Sequence, residues 1–208
     1  MSKENTKAKK ICAALRRELQ GAHALPSERA LMRRFDAARE TVRRALAEHL
    51  LARGACRSLF LTRPHAPPSN QLRYEGVRSR MDCNILQMEP DNATALRKAL
   101  KRHRPDALAC GYDAYAAQIL KTLGALGVSV PNDILLTGFD DVKYATLVSP
   151  PLTTFRQPCA DIARAAFETL LARTAEPDRL PRTILLNAPL VARESTSPNY
   201  LTKNRQIT

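Results

Sequence analysis

Glycine is scarce in this chain, 7 residues of 208, and 44% of positions are hydrophobic. Collagen-like and low-complexity disordered architectures are thereby excluded. No apolar run approaches the ~18 residues of a membrane-spanning helix. The first residues, Met1-Ser2-Lys3-Glu4-Asn5, hold no apolar segment of the signal-peptide kind. A cytoplasmic protein without membrane contact is expected. The five cysteines (Cys12, Cys56, Cys83, Cys110 and Cys159) are odd in number, far apart and without a C-x-x-C pair, which argues against a disulfide framework and a zinc site. The four histidines (His23, His49, His65 and His103) show no metal-ligand spacing. There is no P-loop, nucleophile elbow or paired acid–base motif either. Neither a metal, a cofactor nor an enzymatic activity is expected.

What is present is positive charge, unevenly placed. Lys and Arg total 33 against 20 Asp and Glu, a formal net charge of +13. Residues 1–64 hold 15 Lys/Arg against 6 Asp/Glu, a net of +9, and residues 65–208 hold 18 against 14, a net of +4. A short segment with most of the excess suggests an anionic partner, nucleic acid or a membrane surface. The stretch 62–70, Thr-Arg-Pro-His-Ala-Pro-Pro-Ser-Asn, packs three prolines into a polar run and reads as a linker. The expected division is therefore residues 1–63, a linker at 64–71, and residues 72–208.

Three helices are expected before the linker. The first spans about 6–20, with Ile11, Leu15 and Leu19 on one face. The second starts at Ser27, a good N-cap, followed by Glu28 at the positive helix end. The third stacks Val42, Leu46 and Leu50 one turn apart, with Arg39, Arg43 and Arg44 off that stripe. A short strand at 57–62 follows Gly54. After the linker, strand-like runs at 83–88, 107–110, 134–137, 152–155 and 183–187 alternate with helical ones at 92–103, 114–126 and 159–173, the rhythm of a parallel α/β sheet.

Three short helices with a tight break before the third, then a strand, describe a winged helix-turn-helix, whose third helix fits the DNA major groove. The residues Leu25-Pro26-Ser27-Glu28-Arg29-Ala30-Leu31 and Arg39-Glu40-Thr41-Val42-Arg43-Arg44-Ala45-Leu46 resemble the double motif of the GntR family of bacterial regulators. The resemblance covers residues ~5–62 and implies contacts to an operator in double-stranded DNA by Ser27, Arg29, Arg39, Thr41 and Arg43, with Arg44 beside a phosphate. The glycine-rich wing of that family is reduced here to Gly54-Ala55-Cys56-Arg57-Ser58.

Farther on, residues 104–113 (Arg-Pro-Asp-Ala-Leu-Ala-Cys-Gly-Tyr-Asp), Gly138-Phe139-Asp140-Asp141, residues 150–158 (Pro-Pro-Leu-Thr-Thr-Phe-Arg-Gln-Pro) and Arg193-Glu194-Ser195-Thr196 resemble, in order, the effector domain of the LacI family, similar to periplasmic sugar-binding proteins. That resemblance implies effector contacts by Arg73, by Asp113 or its neighbour Tyr112, by Asp140 and by Gln157. Carboxylates accept from sugar hydroxyls, and a guanidinium fork fixes orientation. Members of that family close two lobes over the effector. Here about ten residues separate the expected wing from Arg73, so the first lobe is expected to be missing, together with the helix and strand that open the second.

The expected fold is multi-domain: a small, mainly α winged helix-turn-helix followed by an incomplete, periplasmic-binding-protein-like parallel α/β lobe. The expected function is a sequence-specific DNA-binding regulator of carbohydrate-related genes, a weak homodimer with a reduced sensor that binds a sugar-like effector weakly or not at all. Two other readings stay open at this point: an interaction protein that pairs with a full-length paralogue, and an internally deleted regulator without function.

Overall fold

The structure, a computed structural model, describes residues 37–178, 180 and 182–197, and side chains from residue 45 onward. Contacts divide the chain into two units: residues 1–39 with 181–185, and residues 40–180 with 186–208. The second unit holds the sheet and nearly all of the described elements.

Its core is a four-stranded parallel sheet in the order β2-β1-β3-β4, formed by β1 (Arg57–Thr62), β2 (Asp82–Gln87), β3 (Ala107–Cys110) and β4 (Leu135–Thr137). Central parallel strands are covered on both faces, so they read as continuous apolar runs. Ala107–Cys110 and Leu135–Thr137 are buried throughout, and Ser58–Thr62 of β1 likewise. Leu59 pairs in register with Asn84 on one side and Leu108 on the other.

Helices pack on both faces. Leu59 and Leu61 meet Leu96 and Ala99 of α3 (Ala93–His103) and Tyr115, Ile119 and Leu123 of α4 (Asp113–Ala125). On the other face Phe60 meets Leu46, Ala47 and Leu50 of α1 (Ala37–Ala52) and Tyr74 and Val77 of α2 (Pro68–Arg78). The start of α3 is fixed by Asn92, whose side chain accepts from the Ala95 N–H at 3.0 Å; its end is fixed by Arg104 in the left-handed conformation at φ 42°. A short α5 (Tyr144–Leu147), an antiparallel pair of β5 (Thr154–Phe155) with β6 (Leu190–Val191), α6 (Cys159–Ala175) and a 3-10 turn at Glu194–Thr196 complete the described elements.

Several expectations need correction. The strand at 57–62 is not a wing: it is flanked by β2 and β3 inside the sheet. A short apolar run is compatible with either role, and only its two buried edges decide. The helix and strand that open the lobe are thus present, as α1 and β1. The proline-rich stretch is not a linker throughout. It is a strand-to-helix loop that runs straight into α2, with Pro68 in the first turn, where a missing N–H costs nothing. Thr183–Asn187 forms no strand; Ile184 and Leu185 are exposed there, and the final pairing lies later, at Leu190–Val191. β-branched composition signals propensity, but a strand also needs a neighbour. The first two expected helices lie outside the described residues.

Candidate functional site

In open α/β sheets, ligands bind outside the carboxyl ends of the strands, because loops there diverge to opposite faces. In this lobe those ends are Thr62 of β1, Gly111–Asp113 after β3, and Gly138–Asp141 after β4. Helix α2 adds Asn70 and Arg73 from the side.

Asn70 is buried and donates from Nδ2 to Thr62 Oγ1 at 2.7 Å. Its Oδ1 accepts from Arg73 Nη1 at 3.3 Å. Arg73 also donates to the Gly111 carbonyl. A Cβ on Gly111 would stand 2.5 Å from the Asn70 amide nitrogen, so only glycine lets this strand end approach. The guanidinium carbon of Arg73 lies 3.6 Å from the centroid of the Phe139 ring, a cation–π contact. Its Nη2 is 3.8 Å from Asp140 Oδ1. Burial lowers the Arg73 pKa against the charges of Asp140 and Asp113, which raise it; the group stays charged at any ordinary pH.

Asp140 is held from the other side by Gln157, whose Nε2 donates to Asp140 Oδ1 at 2.6 Å. Its backbone sits at φ 105°, a region that L side chains rarely adopt. A non-glycine residue there is strained and is kept by its surroundings. Asp141, at φ 55°, accepts from Arg156 Nε and from Arg193 Nη2, both at 2.6 Å. Burial raises the Asp141 pKa, but hydrogen bonds from the two guanidinium groups outweigh it and hold the carboxyl below the usual range.

Asp113 plays a different part. It is fully buried at the first turn of α4 and accepts from Thr154 Oγ1 at 2.7 Å and from the Val142 N–H at 3.0 Å. Desolvation outweighs these bonds and pushes its carboxyl up to about 6. Gly138 abuts it: a Cβ there would come within 2.1 Å of Asp113 Oδ1. Asp113 therefore ties the β4 loop to α4 and offers nothing to solvent. Tyr112, half-buried, precedes α4 with its ring 5.7 Å from that of Tyr115.

Of the expected effector residues, the structure joins Arg73, Asp140 and Gln157 in one partly exposed cluster, with side-chain exposures of 22% for Arg73 and 26% for Asp140. Asp113 lies behind it, and Tyr112 beside the loop from β3. Sequence reasoning passed over Asn70, Phe139, Arg156 and the role of Arg193. Their signals, an Asn three residues before Arg73 and the Arg opening Arg193-Glu194-Ser195-Thr196, were in view without a geometry. The expected DNA-contacting residues Ser27 and Arg29 lie outside the described residues, as do the side chains of Arg39, Thr41, Arg43 and Arg44. Among the described residues no three His, Cys, Asp or Glu side chains gather as metal ligands, and no helix is long and apolar enough to cross a membrane.

The model of the periplasmic binding protein-like domain matches residues 47–196. The chain belongs to this family. Its lobe is similar to those of LacI-type regulators. It is 32% identical over 119 residues to an HTH-type transcriptional repressor PurR of Vibrio campbellii, covering 57% of this chain and 34% of that protein. It is 30% identical over 161 residues to a ribose operon repressor of Escherichia coli K12, covering 71% and 48%. A solved LacI-family transcriptional regulator from Sanguibacter keddieii superposes with a TM-score of 0.67 at 33% identity, over 76% of this chain and 65% of that one. The chain thus spans a third to a half of the length of these curated relatives.

Proposed function

We propose that this chain is a DNA-binding transcription regulator of carbohydrate-related genes, with one wall of a sugar-effector site in its lobe. The observation that carries the reading is the convergence of Arg73, Asp140 and Gln157 at the carboxyl ends of the strands. A guanidinium clamped on Phe139, a strained carboxylate and a primary amide form a polar surface suited to several hydroxyls. Its relatives named as ribose operon and PurR repressors support the regulatory role. The DNA reader is assigned to the GntR-like segment before residue 45, with Arg29, Arg39, Thr41 and Arg43 as its contacts. The segment has no wing of its own after α1, since 57–62 serves the sheet, and Leu46 and Leu50 are committed to the lobe core.

A single wall leaves one face of a bound sugar in water. Each hydrogen bond then contributes about 0.5–1.5 kcal/mol or less, against an immobilisation cost of about 4–15 kcal/mol. Millimolar affinity or none is the expectation. The test is selection of a duplex motif by the purified chain, followed by binding at several salt concentrations. Affinity is expected to fall steeply with salt, and Arg43→Ala to weaken the selected site by about 1–3 kcal/mol. Failure to enrich any motif, or equal affinity of the variant, overturns the reader assignment.

A further inference from the structure

Charge is distributed unevenly between the two ends of the sheet. At the carboxyl ends of the strands the arginines have carboxylate partners: Arg73 lies 3.8 Å from Asp140, and Arg156 and Arg193 each lie 2.6 Å from Asp141. The amino ends differ. Residues 92–105 hold five Lys/Arg and no Asp or Glu. Arg97, Lys98, Lys101 and Arg102 are exposed on α3, and Arg104 is exposed just past its end, in the turn that leads into β3. Leu96 and Ala99 commit the other side of α3 to the core, so helical spacing turns the cations outward. A helix C-terminus favours cations in its last turn. That accounts for Lys101 and Arg102 but not for Arg97 and Lys98, which stand a turn earlier.

The sheet topology widens this patch. β2 and β3 flank β1, with Arg57 opposite Asp82 and Ser58 opposite Ala107. Exposed Arg80 stands two residues before β2, Arg57 begins β1, and Arg104 stands three residues before β3. Three cations distant in sequence thus meet at one end of the sheet, across two strand spacings or about 10 Å. Asp82 and Asp106 are the acids at these strand starts. Asp106 is taken up by the Arg57 guanidinium at 3.3 Å and by the N–H groups of Cys56 and Arg57 at 2.9 Å. Among the described residues no carboxylate pairs with Arg80, Arg97, Lys98, Lys101, Arg102 or Arg104.

We propose that this amino-end surface is a second, sequence-independent site for the phosphate backbone of duplex DNA. What the surface lacks selects the occupant. A protein partner needs an apolar or aromatic anchor at the centre of the contact, a single strand needs aromatic platforms for its bases, and stable membrane attachment needs an apolar face turned outward. The apolar side of α3 is in the core, and residues 92–105 include no aromatic residue. Phosphate contacts need only cations and carry no sequence information. Phosphates of one strand recur about every 3.4 Å along the duplex axis, so the row from Arg80 to Arg104 matches about three of them. The surface lies at the opposite end of the strands from Arg73, Asp140 and Gln157, and the two sites share no residue. The proposal extends the DNA-binding reading of the chain but rests on the lobe's own cations, not on the GntR-like segment.

Fluorescence anisotropy of the full chain with a random-sequence duplex of about 30 base pairs, between about 50 and 200 mM salt, tests it. Wild type binds with a steep salt dependence. Lys98→Gln, Lys101→Gln and Arg102→Gln, made together, weaken binding at least about tenfold and flatten the log–log salt slope by about 2–3, since each phosphate contact contributes about 0.9. A control that removes three exposed cations elsewhere, Lys121→Gln, Lys143→Gln and Arg164→Gln, keeps the slope within about 0.5 of wild type. An unchanged slope in the α3 variant overturns the proposal, as does an equal loss in the control. Polyglutamate of matched charge that displaces the duplex as well as unlabelled duplex does points to an acidic protein and overturns it. Tighter binding to phosphatidylserine vesicles than to the duplex at equal salt points to a membrane surface and overturns it as well. Failure of the reader is distinguishable: no motif is then enriched, while binding of the random duplex still depends on the three α3 cations. A motif that is enriched alongside random-duplex binding indifferent to those cations keeps the reader and overturns the second site.

Discussion

Helices α4 and α6 look alike as sequence. Both follow a strand, both are dominated by alanine and large aliphatic residues, and each has an acid in its first turn. Yet α4 buries Asp113, Tyr115, Ala116, Ile119, Thr122 and Leu123, whereas α6 buries nothing. The difference is what lies beneath. Leu59, Leu61 and Leu108 of the sheet receive α4; no buried cluster includes a residue of α6. Apolar periodicity reports a helix's need for a partner, and the partner has to be found elsewhere. The comparison is sharpest in truncation. Leu123→Ala should cost about 2–5 kcal/mol of unfolding free energy, through lost transfer energy and the cavity left behind. Leu170→Ala should stay within about 0.5 kcal/mol in a dilute, monomeric sample. Urea denaturation of both variants measures the contrast, and equal costs would place α6 in a core.

The first turn of α4 allows a second contrast within the lobe. Asp113 has a folded pKa of about 6, above the usual carboxylate value near 3.9. A raised folded pKa means that the native state holds the proton more tightly than the unfolded chain. The contribution is full below about pH 4 and is lost as pH rises through about 6. At about 1.4 kcal/mol per unit, this makes some 3 kcal/mol. Stability measured from pH 4 to 7 should therefore fall less in Asp113→Asn than in wild type. The slope is the readout, since the amide also alters the bonds to Thr154 and Val142. Parallel slopes would mean that Asp113 titrates normally. Next in size is Arg193→Ala. Arg193 donates to Asp141 at 2.6 Å and to the Leu152 carbonyl at 2.8 Å. The Asp141 side chain is only 6% exposed, and Arg156 would remain its partner. About 2 kcal/mol is expected, with Arg156→Ala costing less because that residue is itself 59% exposed.

The alternation of strands and helices after residue 80 was legible because each element had a distinct period and a turn residue at its end, as at Asn92 and Gly127. The family resemblance pointed to Arg73, Asp140 and Gln157, which the structure brings into one cluster. What the motifs did not show was division of labour. Asp113 and Asp140 both follow buried strands, but one is swallowed by α4 and the loop after β4 while the other stays at the surface. Three dimensions are needed to tell them apart, because Thr154 and Val142 come from 41 and 29 residues away. The role of 57–62 was misread for a related reason. A six-residue apolar strand has the same pattern in a wing and in a sheet centre, and its neighbours β2 and β3 are distant in sequence. Pro67 and Pro68 hid α2, since prolines that stop one helix can also begin another.

His49 of α1 answers Asp113 with the opposite sign. Its Nε2 lies 2.8 Å from Thr196 Oγ1, which in turn lies 2.6 Å from Thr153 Oγ1. The contact ties α1 to the 3-10 turn and to the start of β5. Burial lowers the His49 pKa below 6.5, and the nearby Arg53 charge lowers it further. A lowered folded pKa means that the native state resists protonation. The contribution is present above the unfolded value near 6.5 and is lost as pH falls through the folded pKa. The neutral ring exchanges a hydrogen bond with the Thr196 hydroxyl in either direction; the charged ring can only donate, and it does so half-buried beside a second cation. Between pH 7.5 and 5.5, His49→Gln should therefore lose less stability than wild type, whereas Asp113→Asn should forgo the gain that wild type draws from protonating Asp113. His49 is the smaller of the two effects because it is only half-buried, whereas Asp113 is fully enclosed. Urea midpoints of the two variants and wild type, taken at the same pH values, separate the signs. A His49→Gln profile that runs parallel to wild type would remove the histidine from the account of the pH dependence.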